Sequence, residues 1–224
     1  MSIRNSFKPL CGSTSSPLDG YVTSGLKLFV DCLATTDPIL YDVVQTREVS
    51  SSYSVIKRED GGLRILQQYN IVPWPEWIER VSTPTLEIVL SYHDASAYGL
   101  VSTPFMGDTT TRKKWTSVYT RHFAARNEEP ENRAAHFYAL GEKMQVSFVA
   151  ANTIYSFGEK LETTTKDTTW AAGINPALIS TSWRKEPTEL YAWTVYAIRY
   201  YDRELTPQEI AKNYETDKKR YHLQ

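Results

Sequence analysis

Glycoside hydrolysis needs two carboxyl groups held close together, and a β-strand supplies them by alternation, which puts residues i, i+2 and i+4 on one face. No strand-like stretch of this 224-residue chain sets carboxylates at such spacing. The near miss, Glu215-Thr216-Asp217, falls in a helix-patterned segment and lacks a third carboxylate. Its histidines, His93, His122, His136 and His222, stand far apart, and no pair has metal-ligand spacing. His122 and His136 would face each other if the stretches flanking "NEEPEN" (127–132) form a hairpin; the plainer reading is two histidines accommodated in a half-buried sheet. Glycine-rich phosphate loops and nucleophile elbows are absent. The chain is therefore expected not to be an enzyme and to have no catalytic residue. An unrecognised glycan hydrolase or lyase is the minor alternative.

Binding chemistry has better candidates. In "YNIVPWPEWIER" (69–80), Pro73 and Pro75 bracket Trp74 and argue against regular ladder pairing, so the segment reads as a stiff loop. Trp74 and Trp77 could form a flat platform for a sugar ring or a protein anchor. Alternatively, both rings fold back and cap one end of the core. Trp170 and Trp183 invite the same two readings, and for Trp193, inside a strand pattern, the core reading is stronger.

These residues need a scaffold, and the pattern for one is β. "GLKLFVDC" (25–32) alternates as a strand does, and "SYSVIKREDGGLRILQQ" (52–68) reads as two strands joined at Glu59-Asp60-Gly61-Gly62. "TLEIVLSYH" (85–93), "KWTSVYTRHFAAR" (114–126), "RAAHFYAL" (133–140), three short strands within 143–164, and "WTVYAIRYY" (193–201) complete the series. Nine or ten strands at this spacing predict an all-β sandwich of two antiparallel sheets, in one domain over residues 21–224. Residues 1–20, rich in Ser, Pro and Gly, read as a polar arm.

The chain's ending is the most fully specified element. Thr206-Pro207-Gln208-Glu209 satisfies the capping-box pattern with Pro at the first helical position, and Leu205 and Ile210 are spaced as a hydrophobic staple. Ile210, Tyr214, Asp217 and Tyr221 share one face, and Lys218, Lys219 and Arg220 suit the negative end of the helix dipole. A helix over 206–221 is predicted; at this length it is marginal alone, so it must dock on the sandwich, at an edge or on a convex face.

The run Ile198, Arg199, Tyr201, Asp202, Arg203, Leu205, Thr206, Glu209, Ile210 and Asn213 resembles the C-terminal signature of laminin-G-like domains in the concanavalin A-like superfamily. Weaker echoes lie in "GYVTSGLKLFVD", "GGLRIL", "TLEIVL" and "NTIYSFGEKL"; Trp193 departs from the pattern, which often has Gly there. The resemblance implies a concanavalin A-like jelly roll ending in a helix, and a role in glycan binding, adhesion or assembly. Many such domains bind one calcium ion, for which Asp94, Asp108, Glu128, Glu129 and Glu131 are candidates, but sequence cannot bring six oxygens together, so no cofactor and no metal are assigned.

Composition narrows the partners. Net charge is −1, so no basic field exists for nucleic acid. No apolar run reaches the ~20 residues that span a bilayer, so no membrane insertion is expected. The N-terminus lacks the apolar core of a signal peptide. Cys11 and Cys32 are read as two reduced thiols with Cys32 buried, or as one bridge, and not as a disulfide framework. With laminin-G-like domains recurring in bacteriophage particles, the expectation is a virion component made in the cytoplasm, binding other subunits or a glycan; a lectin-like adhesion module is the alternative, cytoplasmic or reaching the cell surface by a non-Sec route. A symmetric homo-oligomer stays open, with no coiled-coil heptad to support one.

Overall fold

The computed structural model describes residues 16–50, 55–65, 71–92, 103–108, 114–118, 122–127, 132–135, 141–150, 153–161, 176–180 and 193–224. Cys11 lies outside them, and Cys32 is buried. In chain order the strands are β1 (Leu26–Asp31), β2 (Leu40–Asp42), β3 (Arg47–Ser50), β4 (Val55–Lys57), β5 (Leu63–Ile65), β6 (Ile71–Pro73), β7 (Thr85–Tyr92) and β8 (Thr103–Asp108). They continue with β9 (Lys114–Val118), β10 (His122–Asn127), β11 (Asn132–Ala135), β12 (Lys143–Val149), β13 (Thr153–Ser156), β14 (Glu159–Lys160), β15 (Pro176–Ser180) and β16 (Trp193–Tyr201). One helix, α1 (Pro207–Tyr221), ends the chain.

The strands form two antiparallel sheets. The larger runs β14-β13-β12-β7-β16-β1-β2-β3, with β5 also on β16 and β4 on β5; the smaller runs β11-β10-β9-β8-β15-β6. The all-β sandwich with a C-terminal helix is thus the observed architecture. Between the sheets lies an apolar core in which Leu28, Val30, Leu86, Ile88, Leu90, Met144, Val146, Phe148, Ile198 and Tyr200 of the large sheet meet Val72 and Leu178 of the small one. The alternate residues of those strands, Phe29, Val89, Ala197 and Tyr201, face the other way and pack under α1 with Tyr21, Val22, Ile210 and Tyr221. Both faces of the large sheet are covered, which is why "YAIRYY" has no polar side. A bulge in β16 between Val195 and Ala197 turns Tyr196 and Ala197 to the helix side together.

The helix is built as its sequence specifies. Thr206 Oγ1 accepts from Glu209 N, the Glu209 carboxylate accepts from Thr206 N, and Leu205 and Ile210 are buried. It lies across the outer face of the large sheet rather than along an edge. Its buried residues are Ile210, Asn213, Asp217 and Tyr221, while Tyr214 is only partly buried.

Several expectations need correction. Strands β2, β3, β6, β8 and β15 have no counterpart in the sequence pattern. Pro73 does not exclude pairing, because β6 is an edge strand, where a missing N–H costs nothing. His122 pairs in register with Ala135, and His136 lies outside the described residues. The last residues assigned to the arm are packed: Leu18 contacts the helix-side cluster and Gly20 O accepts from Thr216 Oγ1 at 3.0 Å. Among the described residues, no helix is long and apolar enough to cross a membrane.

Candidate functional site

The densest polar constellation sits under α1. Each of two adjacent apolar strands carries one charge, Glu87 in "TLEIVL" and Arg199 in "YAIRYY", and the two are direct cross-strand partners. Arg199 Nε donates to Glu87 Oε2 at 2.8 Å, and its Nη1 donates to Asp217 Oδ1 at 2.7 Å; a second bond, from Nη2 to Asp217 Oδ2, completes a bidentate pair. Asn213 Nδ2 donates to Glu87 Oε2 at 2.8 Å, Ser147 Oγ donates to Glu87 Oε1 at 3.1 Å, and Tyr21 Oη donates to Asp217 Oδ1 at 2.8 Å. The Tyr21 ring lies over the guanidinium at 4.6 Å.

Two acids do meet here, but Arg199, Glu87 and Asp217 are each buried at or below 1% exposure, so no substrate reaches them. Burial pushes both carboxyls up and Arg199 pulls them back; the Asp217 charge raises Glu87 further, and the Asp31 charge raises Asp217. Arg220 and Tyr221 Oη hold Asp31 at the C-terminal end of the same interface. At the rim, Tyr196 Oη donates to Asp60 Oδ2 at 2.6 Å, and Lys143 Nζ lies 4.4 Å from that ring's centre while donating to Tyr221 O. Burial and the Asp60 bond raise the Tyr196 phenol, so it stays a neutral donor. These groups bind the helix to the sheet.

The surface candidates lie where the loop after β6 closes over the inter-sheet core. Trp74 is 7% exposed, its Nε1 donates to Ile78 O at 2.7 Å, and its ring meets Tyr200 edge-on at 4.8 Å. Trp74 is therefore a core residue, and the flat two-ring platform is not what this loop builds. Trp77 is half-buried, with the Arg47 guanidinium 3.7 Å above its ring. Close to it, Asp42 of β2 is 0% exposed; its Oδ1 accepts from Phe29 N at 3.1 Å and Val44 N at 3.0 Å. Asp42 Oδ2 and Trp77 Nε1 are buried, and neither completes a hydrogen bond of good geometry among the described residues, although the indole N–H is near enough to favour the Asp42 charge. Burial outweighs that help and raises the Asp42 carboxyl.

Trp170 and Trp183 lie outside the described residues, as do Asp94, Glu128, Glu129 and Glu131. Asp108 ends β8. Among the described residues, no three His, Cys, Asp or Glu side chains group to hold a metal ion. Sequence reading missed Asp42 and Arg47. The available signal was an acid set in the apolar run "ILYDVV", which needs buried partners.

No protein-family model matches the chain, and no curated protein matches it in sequence. Solved structures match its fold. Trypanosoma rangeli sialidase in complex with 2,3-difluoro-KDN is 15% identical, with a TM-score of 0.62 over 94% of this chain and 36% of that one. Domain 4 of a GH43 extracellular arabinanase from Geobacillus stearothermophilus, in complex with arabinotriose, is 12% identical, with a TM-score of 0.58 over 84% of this chain and 97% of that one. The binding domain of botulinum neurotoxin DC, in complex with rat synaptotagmin II, is 14% identical, with a TM-score of 0.61 over 86% of this chain and 51% of that one. This chain thus spans about a third of the sialidases' length. At these identities the likeness is one of fold. It does overturn the non-enzymatic expectation, since the fold is matched within sialidases and a missing strand carboxylate pair does not exclude that class.

Proposed function

We propose that this chain is a lectin-like binding domain for a glycan, with Trp77 as the ring that meets the ligand. The observation that carries it is the half-buried Trp77 at the end of the sandwich, which, unlike Trp74, has ring area left outside the core. The arabinanase domain, matched over nearly its whole length, supports the reading because that domain was solved with arabinotriose. Trp170 and Trp183 are proposed as further ligand contacts on residue type alone. A glycan array probed with the full chain tests the reading: expected are hits that weaken at least tenfold in Trp77→Ala, and an array without hits removes it.

A protein ligand is the second reading, favoured by the likeness to a toxin domain solved with a protein partner. The finer setting we propose is a bacteriophage particle, with a concanavalin A-like domain of laminin-G-like type joined to other subunits. Its support is the motif resemblance over residues 195–221. Mass spectrometry of purified particles tests that setting.

A further inference from the structure

The Arg47 side chain has an indole for company and no acid. Its guanidinium carbon lies 3.7 Å from the centre of the Trp77 ring, and among the described residues that side chain makes no ion pair and no hydrogen bond. Such a separation is the van der Waals thickness of two stacked planes, an arrangement that leaves the in-plane N–H groups of the guanidinium unused. Both members are held from below. Arg47 is the register partner of Asp42 across the β2–β3 hairpin, on an edge strand of the larger sheet, and Thr46 at φ +52° closes the turn before it. The indole N–H is directed at the buried Asp42 carboxylate, which holds the ring. Arg47 itself is exposed, so a ligand reaches it from solvent with no opening of the core.

A ligand that meets this face of Trp77 meets the guanidinium first. Arginine carries donors and no acceptor, and a carboxylate presents two coplanar oxygens to that fork. We propose that Arg47, stacked on Trp77, sets the specificity of this surface, and that its ligand is an acidic saccharide: a carboxylate on one sugar ring pairs with the Arg47 N–H groups while the sugar lies against the exposed part of the indole. Stacking fixes the fork before the ligand arrives, so less side-chain freedom is lost on binding. A neutral sugar offers single hydroxyl contacts where a carboxylate makes two parallel ones. Glu48, Glu76 and Glu79 are exposed in the same two segments, so a ligand with a single carboxylate is favoured over a densely charged polyanion.

This inference rests on the glycan-binding reading above, and its test separates the two. The full chain is titrated by calorimetry with xylotriose bearing one glucuronate branch, and with the same oligosaccharide after its carboxyl has been reduced to a neutral hydroxymethyl group. The acid is expected to bind about tenfold more tightly than the reduced form, the margin of one charge-assisted pair. Arg47→Ala should bring the two ligands to equal affinity at an unchanged melting temperature, because the side chain is exposed. Arg47→Lys keeps the charge without the planar fork and should recover only part of the preference. Native protein that binds both forms equally, or binds neither, overturns the assignment, and so does a preference for the acid that survives Arg47→Ala. An array whose hits are all neutral glycans, weakened in Trp77→Ala, overturns it too and leaves the binding reading standing. A blank array takes down the binding reading itself.

Discussion

Arg199 of β16 and Asp217 of α1 grip each other through two parallel hydrogen bonds, with neither side chain reaching solvent. Glu87, across the strand from Arg199, takes the guanidinium's remaining Nε–H. One cation therefore ties the central strands to the terminal helix, and Tyr21 closes the assembly from the N-terminal side. The strand charge and the helix charge are each inexplicable alone. Together they tie α1 to β16 and β7 at one point of the sheet.

Arg199→Met is expected to cost about 3–5 kcal/mol, because it strands two carboxylates in the interior. Urea denaturation measures it. Adding Glu87→Gln and Asp217→Asn to the same chain removes the stranded charges and should recover a large part of the loss. A single-variant cost below about 1 kcal/mol, on the scale of an exposed ion pair, would mean that Arg199 is not the latch.

The same acids set a pH dependence. Glu87 and Asp217 titrate above their ordinary values in the folded protein, first because they are buried. A raised carboxyl binds its proton more tightly in the native state than in the unfolded chain. Its penalty is absent at low pH and grows as pH rises from about 4.3 through the folded value. Unfolding free energies measured from pH 4 to 8 should therefore decline in the native protein relative to Glu87→Gln, which has one such group fewer. An equal profile for both proteins would mean that burial does not hold Glu87 above its ordinary value in the folded state.

Glu209 behaves in the opposite sense. Arg203 donates to it from Nη1 at 2.9 Å and Nη2 at 2.7 Å, and with the Thr206 bonds this holds its carboxyl at about 2, below its ordinary 4.5. A depressed acid stabilises the fold above the unfolded value and loses that contribution as pH falls through the folded one. Glu209→Gln keeps an acceptor for Thr206 N but gives up the ion pair. It should cost on the order of 1 kcal/mol at pH 7, a partly exposed charge-assisted pair being modest. The difference from native protein should shrink between pH 4.5 and 2 and vanish below that. Thermal melts across that range read it directly.

What the sequence made legible was local. The capping box, Pro207 at the first turn, the Leu205–Ile210 staple and the basic last turn each follow from residues within one turn of each other. Alternation likewise marked β1, and apolar runs rich in β-branched and aromatic residues marked β7, β12 and β16, each of which has one face on the inter-sheet core. Short strands such as β2 and β6 escaped, because three residues carry no period and Pro73 reads as a breaker until its edge position is known. Asp217 was grouped with an apolar face and turned out buried through Arg199, a partner 18 positions away whose approach depends on the docked helix. At the candidate site the aromatic type of Trp77 was legible. Its neighbours Asp42 and Arg47 come from a distant hairpin, and only tertiary structure brings them to it.

The turn between β13 and β14 makes the last prediction. Phe157 (φ +50°) and Gly158 (φ +77°) both occupy the left-handed region, the geometry of a tight hairpin turn whose twist matches its strands. Phe157 is the unusual member, a bulky residue at positive φ, and it is held by its packing: its ring meets Tyr214 of α1 edge-on at 6.0 Å. That approach requires glycine next door, since a Cβ on residue 158 would lie 2.9 Å from Tyr214 Cδ1. Gly158→Ala thus adds backbone strain and a clash at one point, and about 1–3 kcal/mol of destabilisation is expected. Removing the ring isolates the two causes. In a Tyr214→Ala background the ring atoms are gone and only the 3.2 Å approach to the residue-214 Cβ is left, so the cost of Gly158→Ala should fall toward the conformational penalty of about 1 kcal/mol. A double-mutant cycle by urea denaturation reads the coupling. If Gly158→Ala costs the same with and without Tyr214, the turn does not press on the helix, and α1 is held by the buried charges and its apolar face alone.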